Sequence, residues 1–159
     1  MQVIGSKFTS GDQKSDFNWM IEQPKYADAL FIFNDNEEQF LEHRNNPGSK
    51  TGDGCRDGEG NAGIRHYQCQ DLPRAAGIPT GGSKGGYQKL DERTKSGKSV
   101  QALIDEALDT IKEVAQKNNY QRIFYSAEPN GDLGTGIFKV GIEVKKYIVK
   151  QLMALATSS

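Results

Sequence analysis

Between Ser99 and Gln116, apolar residues recur at three- and four-residue spacing. Val100, Leu103, Ile104, Ala107, Leu108, Ile111 and Val114 share one face, while Asp105, Asp109, Lys112 and Glu113 occupy the other. This period predicts an amphipathic helix. Ser96 or Ser99 caps its start, and Asn118–Asn119 supplies the left-handed residue at its end. A second stripe, Val140, Val144, Ile148, Leu152 and Leu155, predicts a helix over Ile137–Ala156. Three short runs are apolar on both faces and read as buried strands: Ala29–Phe33, Arg122–Ala127 and the weaker Ala75–Thr80. Gln2–Phe8 and Phe17–Ile21 are expected as edge strands. Glu37–Arg44 reads as a short helix with an acidic first turn, where the helix dipole favours negative charge. Ala62–Gln68 reads as another short helix. A helix running directly into a strand makes an α/β unit. The expected fold is therefore α/β, a three-layer α/β/α arrangement around a central mixed, largely parallel sheet. It forms one domain over residues 1–159, with ligands at the carboxyl ends of the strands.

Charge changes the range of partners. Twenty Lys and Arg against 21 Asp and Glu give a net charge of −1. No global field draws in nucleic acid or an anionic membrane, so neither is expected as a partner. No apolar run approaches the roughly 20 residues of a membrane helix. The first ten residues lack the apolar region of a signal peptide. Cys55 and Cys69 form no CxxC, so two reduced thiols in a cytoplasmic protein are expected. Two histidines without an H-x-x-x-H pair predict no dedicated metal site, and no cofactor is expected.

Eleven of the 18 glycines fall between Gly48 and Gly86. Gly58, Gly60 and Gly63 match G-x-G-x-x-G, but no strand precedes them, and Ser83 and Lys84 stand where a dinucleotide site needs an acidic residue. Gly97-Lys98-Ser99 resembles part of a P-loop, yet Glu92 holds the place of its first glycine. What survives is a nest of backbone N–H groups at Gly58–Gly63 entering a short helix. A second Gly-rich loop, Asn130–Phe138, lies between the Arg122–Ala127 strand and the last helix. Both loops suit an anion; the alternative is that their glycines merely make tight turns.

Together these segments resemble the macrodomain family. A strand ends in Asn34-Asp35-Asn36, a glycine-rich segment enters a helix at Gly60-Asn-Ala-Gly-Ile-Arg-His66, and Gly134-Thr-Gly-Ile-Phe138 is similar to that family's second loop. Gly11-Asp12 resembles its pair near the adenine. The resemblance, spanning about Val3 to Leu155, implies ADP-ribose or a related nucleotide as ligand, and an ADP-ribosylated protein as a possible partner. It implies that Asp12 accepts from the adenine amino group and that Asn34 and Asn36 sit near the distal ribose. It further implies that Gly60, Asn61, Ala62, Gly63 and Ile64, with Gly134, Thr135, Gly136, Ile137 and Phe138, wrap the diphosphate. In a hydrolytic member, Asn36 and a carboxylate such as Asp132 would assist a water attacking the anomeric carbon. Asn61 stands nearest the position where such members often carry an acid, and an amide is no general base. Asp57, Glu59 and Asp132 are the nearby substitutes. The Glu37–Asp57 segment is longer than the family's usual linker.

Other residues stay open at this stage. Lys84 either contacts the ligand, even covalently, or is solvated; Tyr87 either stacks on a base or anchors its loop. His43 and His66 read as surface residues, and Trp19 as packing. Two rivals to a hydrolase follow: a non-catalytic reader or sequestering protein for the same nucleotide, and a protein-interaction domain whose glycines are structural.

Overall fold

A computed structural model describes residues 1–9, 14–136 and 138–157. Strands β1 (Gln2–Ser6), β2 (Ala29–Asn36), β3 (Ala75–Gly82), β4 (Gly85–Gly86) and β5 (Arg122–Ser126) form one sheet in the order β1-β5-β2-β3-β4. All pairings are parallel except the short β3–β4 hairpin. Among the described residues the α-helices are α1 (Phe17–Met20), α2 (Glu37–Asn45), α3 (Val100–Lys117) and α4 (Ile142–Thr157), joined by a long 3₁₀ helix at Gly60–Cys69. The protein is thus mixed α/β with a mostly parallel sheet.

Alternation along β2 explains the packing. Leu30 and Ile32 enter one apolar cluster with the buried faces of α3 and α4. Phe31 and Phe33 point the other way, into a cluster with Phe17 and Met20 of α1 and Ile64 of the 3₁₀ helix. Phe31 and Phe33 are fully buried, each worth roughly 1.5–3 kcal/mol of burial, and Phe31 stacks on Phe124 at 5.2 Å. At the carboxyl end of β2 the alternation turns polar, with Asn34, Asp35 and Asn36, and a register shift falls between Asp35 and Asn36. Such irregularities re-aim side chains next to sites. Pro79 fits inside β3 because β4 pairs only with Gly81 and Gly82.

Ser99 caps α3, its side chain accepting from the Ala102 N–H at 3.1 Å, and Asn119 follows with a φ of 55°. Three expectations change. Residues 17–20 form α1 rather than an edge strand, because the Asp16 carboxylate accepts from the Asn18 N–H at 2.8 Å and nucleates a turn. The last helix starts at Ile142 rather than Ile137: the preceding loop packs on β4, and the first helical bonds run back to Gly141. Cys55 and Cys69 are joined in a disulfide, not reduced. The chain around them folds back tightly: Glu42 accepts from the Gly54 N–H at 2.6 Å, and the Gln68 amide donates to the Gly54 carbonyl at 2.6 Å. The thiols therefore give no argument for a cytoplasmic location. Among the described residues no helix is long and apolar enough to cross a membrane.

Candidate functional site

A cavity of about 420 Å³ opens where β1, β2, β3 and β5 end. Lys7 and Phe8 follow β1, Asn34, Asp35 and Asn36 end β2, Thr80 lies near the end of β3, and Ser126 to Pro129 continue from β5. Its remaining walls include Gly58–Ala62 on one side and Gly134, Thr135, Gly136 and Phe138 on the other. The two Gly-rich loops, distant in the chain, share this one hollow. Parallel strands place ligands at such carboxyl ends, and the volume lies within the usual range of about 300–1,000 Å³ for small-molecule sites.

Asn34 ties the loops together. Its backbone N–H donates to Asn61 Oδ1 at 3.2 Å, and its Nδ2 donates to the Gly134 carbonyl at 2.8 Å. In the first loop, Gly58 N–H donates to the Ala62 carbonyl and Ala62 N–H to the Glu59 carbonyl; in the second, Gly134 N–H donates to the Ser126 carbonyl. The N–H groups of Gly60, Asn61, Thr135 and Gly136 find no acceptor among the described residues. These four, two from each loop, are among the donors left for a ligand.

Asp35 and Arg65 form a buried ion pair beneath the first loop, both at 2% exposure or less. Arg65 Nε and Nη2 donate to Asp35 Oδ1 at 3.1 and 2.8 Å, and Arg65 Nη1 donates to the Arg56 carbonyl at 2.8 Å. Asp35 Oδ1 also accepts from the Asn36 N–H, whereas Oδ2 has no partner among the described residues. Burial pushes the Asp35 carboxyl up to about 6, against the opposing pull of Arg65.

Asn36 lines the cavity, but its amide caps α2: Oδ1 accepts from the Gln39 N–H at 2.9 Å, and Nδ2 donates to Gln39 Oε1 at 2.6 Å. Gly63 abuts Asn18, and Ile64 is fully buried in the core; neither lines the cavity. Asp132 also stands off the cavity, its carboxylate 3.3 Å from Lys146 Nζ of α4. Asp57 pairs with His66, and Glu59 lines the rim. Asp12 and Ile137 lie outside the described residues. Phe138 packs against Gly81, where an added Cβ would meet its ring at 2.8 Å. Tyr87 is an anchor: it is buried, and its hydroxyl donates to Glu37 at 2.8 Å. Burial and that bond hold the phenol well above its usual range. Lys84 sits exposed in the β3–β4 turn.

Sequence reasoning missed Lys7, Phe8, Gln39, Arg65, Thr80 and Ser126–Pro129. Most follow from applying the strand-end rule to every parallel strand. Arg65 had no such signal, since its partner lies 30 residues away. The chain matches no protein-family model, no curated protein and no solved structure.

Proposed function

We propose that this chain is a macrodomain-like domain, with helices layered on both faces of the sheet, that binds ADP-ribose or a related nucleoside diphosphate. The observation carrying the proposal is that Gly60, Asn61, Thr135 and Gly136, whose N–H groups have no acceptor among the described residues, all line one cavity. Oriented backbone amides make an anion-binding concavity. They hold a diphosphate without a cluster of basic side chains, in keeping with the net charge of −1. Phe8 and Phe138 add aromatic wall for the nucleoside portions, and Lys7 adds positive charge at the mouth.

Binding is favoured over turnover. The Asn36 amide is engaged in capping, and Asp132 stands off the cavity. The ligand would then be read or sequestered, free or carried on an ADP-ribosylated protein. Calorimetry with ADP-ribose tests the proposal: saturable heat at one site per chain supports it. No heat and no thermal shift at millimolar ligand overturns it and leaves a domain with structural glycines. Release of ADP-ribose from a modified protein, abolished by Asp132→Ala, would instead establish a hydrolase.

A further inference from the structure

Away from the nucleotide cavity, three soft or borderline donors meet. A ring nitrogen of His43, Cys55 Sγ and Cys69 Sγ all lie within 4.8 Å of one another, and His43 Nδ1 is 3.7 Å from Cys69 Sγ. They come from three elements: α2, the 3₁₀ turn Asp53–Cys55 and the end of the 3₁₀ helix Gly60–Cys69. We propose that, when the disulfide is reduced, these side chains form a Cys₂His site for one zinc-type divalent cation.

A disulfide that only staples the chain needs no imidazole beside it. Here α2, which carries His43, is held to the cysteine-bearing turn by contacts independent of the sulfur–sulfur bond. Glu42 Oε2 accepts from the Gly54 N–H, the Gln39 amide donates to the Asp53 carbonyl at 2.6 Å, and the Gln68 amide donates to the Gly54 carbonyl. These bonds fasten the cysteine-bearing turn to α2 and to the 3₁₀ helix. Gly54 allows the approach, because a Cβ there would come 2.5 Å from His43 Cβ. Zinc takes thiolate sulfur at about 2.3 Å and imidazole nitrogen at about 2.0–2.1 Å in a tetrahedral shell. Donors around such an ion lie roughly 3.5–4 Å apart; His43 Nδ1 and Cys69 Sγ already stand 3.7 Å apart, and the two sulfurs, bonded in the disulfide, separate on reduction. His43 and Cys69 also border a second cavity, of about 460 Å³. That cavity gives solvent access to the fourth position, which a water takes.

The chemistry balances with a named reductant. A phosphine or dithiol supplies two electrons, the Cys55–Cys69 bond breaks, and each sulfur gains a proton. The cation then replaces both thiol protons, which pass to solvent, while neutral His43 donates its ring-nitrogen lone pair.

The test is Co²⁺ titration of the full chain, oxidised and after phosphine reduction, followed by absorbance. The expected result is one Co²⁺ per reduced chain, with a sulfur-to-cobalt charge-transfer band and the visible bands of a four-coordinate ion, both erased by Zn²⁺. The oxidised chain shows neither band. His43→Ala, which leaves both cysteines in place, should weaken the reduced chain's affinity at least tenfold. No charge-transfer band on reduction, or an affinity unchanged in His43→Ala, overturns the site. Circular dichroism covers the case in which reduction loosens the fold: structure restored by Co²⁺ in the wild type but not in Cys55→Ser supports the proposal, and structure that Co²⁺ leaves unrestored overturns it.

Discussion

The two Gly-rich loops face the same cavity but are built differently. The first is braced by side chains. Gly58 lies so close to Arg65 that an added Cβ would meet Nη1 at 2.8 Å, Asn61 Oδ1 accepts from β2, and the Asp35–Arg65 pair locks the 3₁₀ helix beneath. The second is held by main chain, through the Gly134 N–H to Ser126 and the Asn34 amide to the Gly134 carbonyl. Among the described residues, nothing lies within 4 Å of the position a Cβ on its Gly136 would take. Glycine thus serves two purposes. In the first loop it satisfies close packing and, at Gly60, a φ of +62°. In the second, Gly134 is also closely packed, an added Cβ meeting Ser126 Oγ at 2.9 Å, whereas Gly136 is open among the described residues. Damage to the first loop should reach the core, and damage at Gly136 should stay at the ligand.

Removing the brace is the largest expected effect. Arg65→Met leaves a buried carboxylate without its cation, which costs roughly 3–5 kcal/mol at pH 7. Urea denaturation measures it, and the loss should shrink at pH 5, where Asp35 takes up a proton instead. A loss below about 1 kcal/mol at pH 7 would mean that the first loop is not braced this way.

The same pair should be visible in the wild type as a pH dependence. Burial raises the Asp35 carboxyl from 3.8 to about 6, so the folded state holds this proton more tightly than the unfolded state. Its contribution to stability is complete below about 3.8 and is lost as pH rises through 6. Between pH 4 and 7 the wild type should therefore lose on the order of 3 kcal/mol more than Asp35→Asn, which has no carboxyl to titrate. Parallel pH profiles of the two proteins would remove this carboxyl from consideration.

A matched pair of substitutions tests the contrast between loops directly. Gly60→Ala forces an L residue into the left-handed region and should cost about 1–2 kcal/mol of stability. A Cβ at Gly136 meets nothing within 4 Å among the described residues, so Gly136→Val should stay within about 0.5 kcal/mol of wild type. Its ADP-ribose Kd should nevertheless rise at least tenfold, about 1.4 kcal/mol, because the branched side chain occupies ligand space. If Gly136→Val lost stability as Gly60→Ala does, the second loop would belong to the core and the distinction would fail.

What the chain reveals in advance follows the range over which each signal acts. The α3 stripe, its Ser99 cap and the left-handed Asn119 are local and readable from spacing alone. So are the apolar strands β2 and β5, although the polar end of β2, Asn34–Asn36, reads as a motif rather than as strand. Residues 17–20 mislead because their aromatic content suggests a strand, while the Asp16 cap immediately before them decides for helix. The disulfide and the Asp35–Arg65 pair depend on how residues 46–69 fold back, and no periodic pattern encodes that path. The Gly-rich loops are legible as loops, but which amides remain unpartnered depends on acceptors as distant as Ser126 and on the cavity they share.

The smallest effect separates two roles for Asn36. Its side chain accepts from the Gln39 N–H and donates to Gln39 Oε1, and Gln39 in turn holds the Asp53 and Arg56 carbonyls. Asn36→Ala should therefore cost about 1 kcal/mol through the lost cap, with weaker ADP-ribose binding as a consequence of a displaced α2. Asn36→Ser restores a capping oxygen but lacks the carboxamide. Recovery of both stability and affinity in Asn36→Ser would assign this residue to positioning, acting on the first loop through α2. Recovery of stability alone would mean that the carboxamide itself touches the nucleotide, and the first loop would then share the second loop's exposure to ligand.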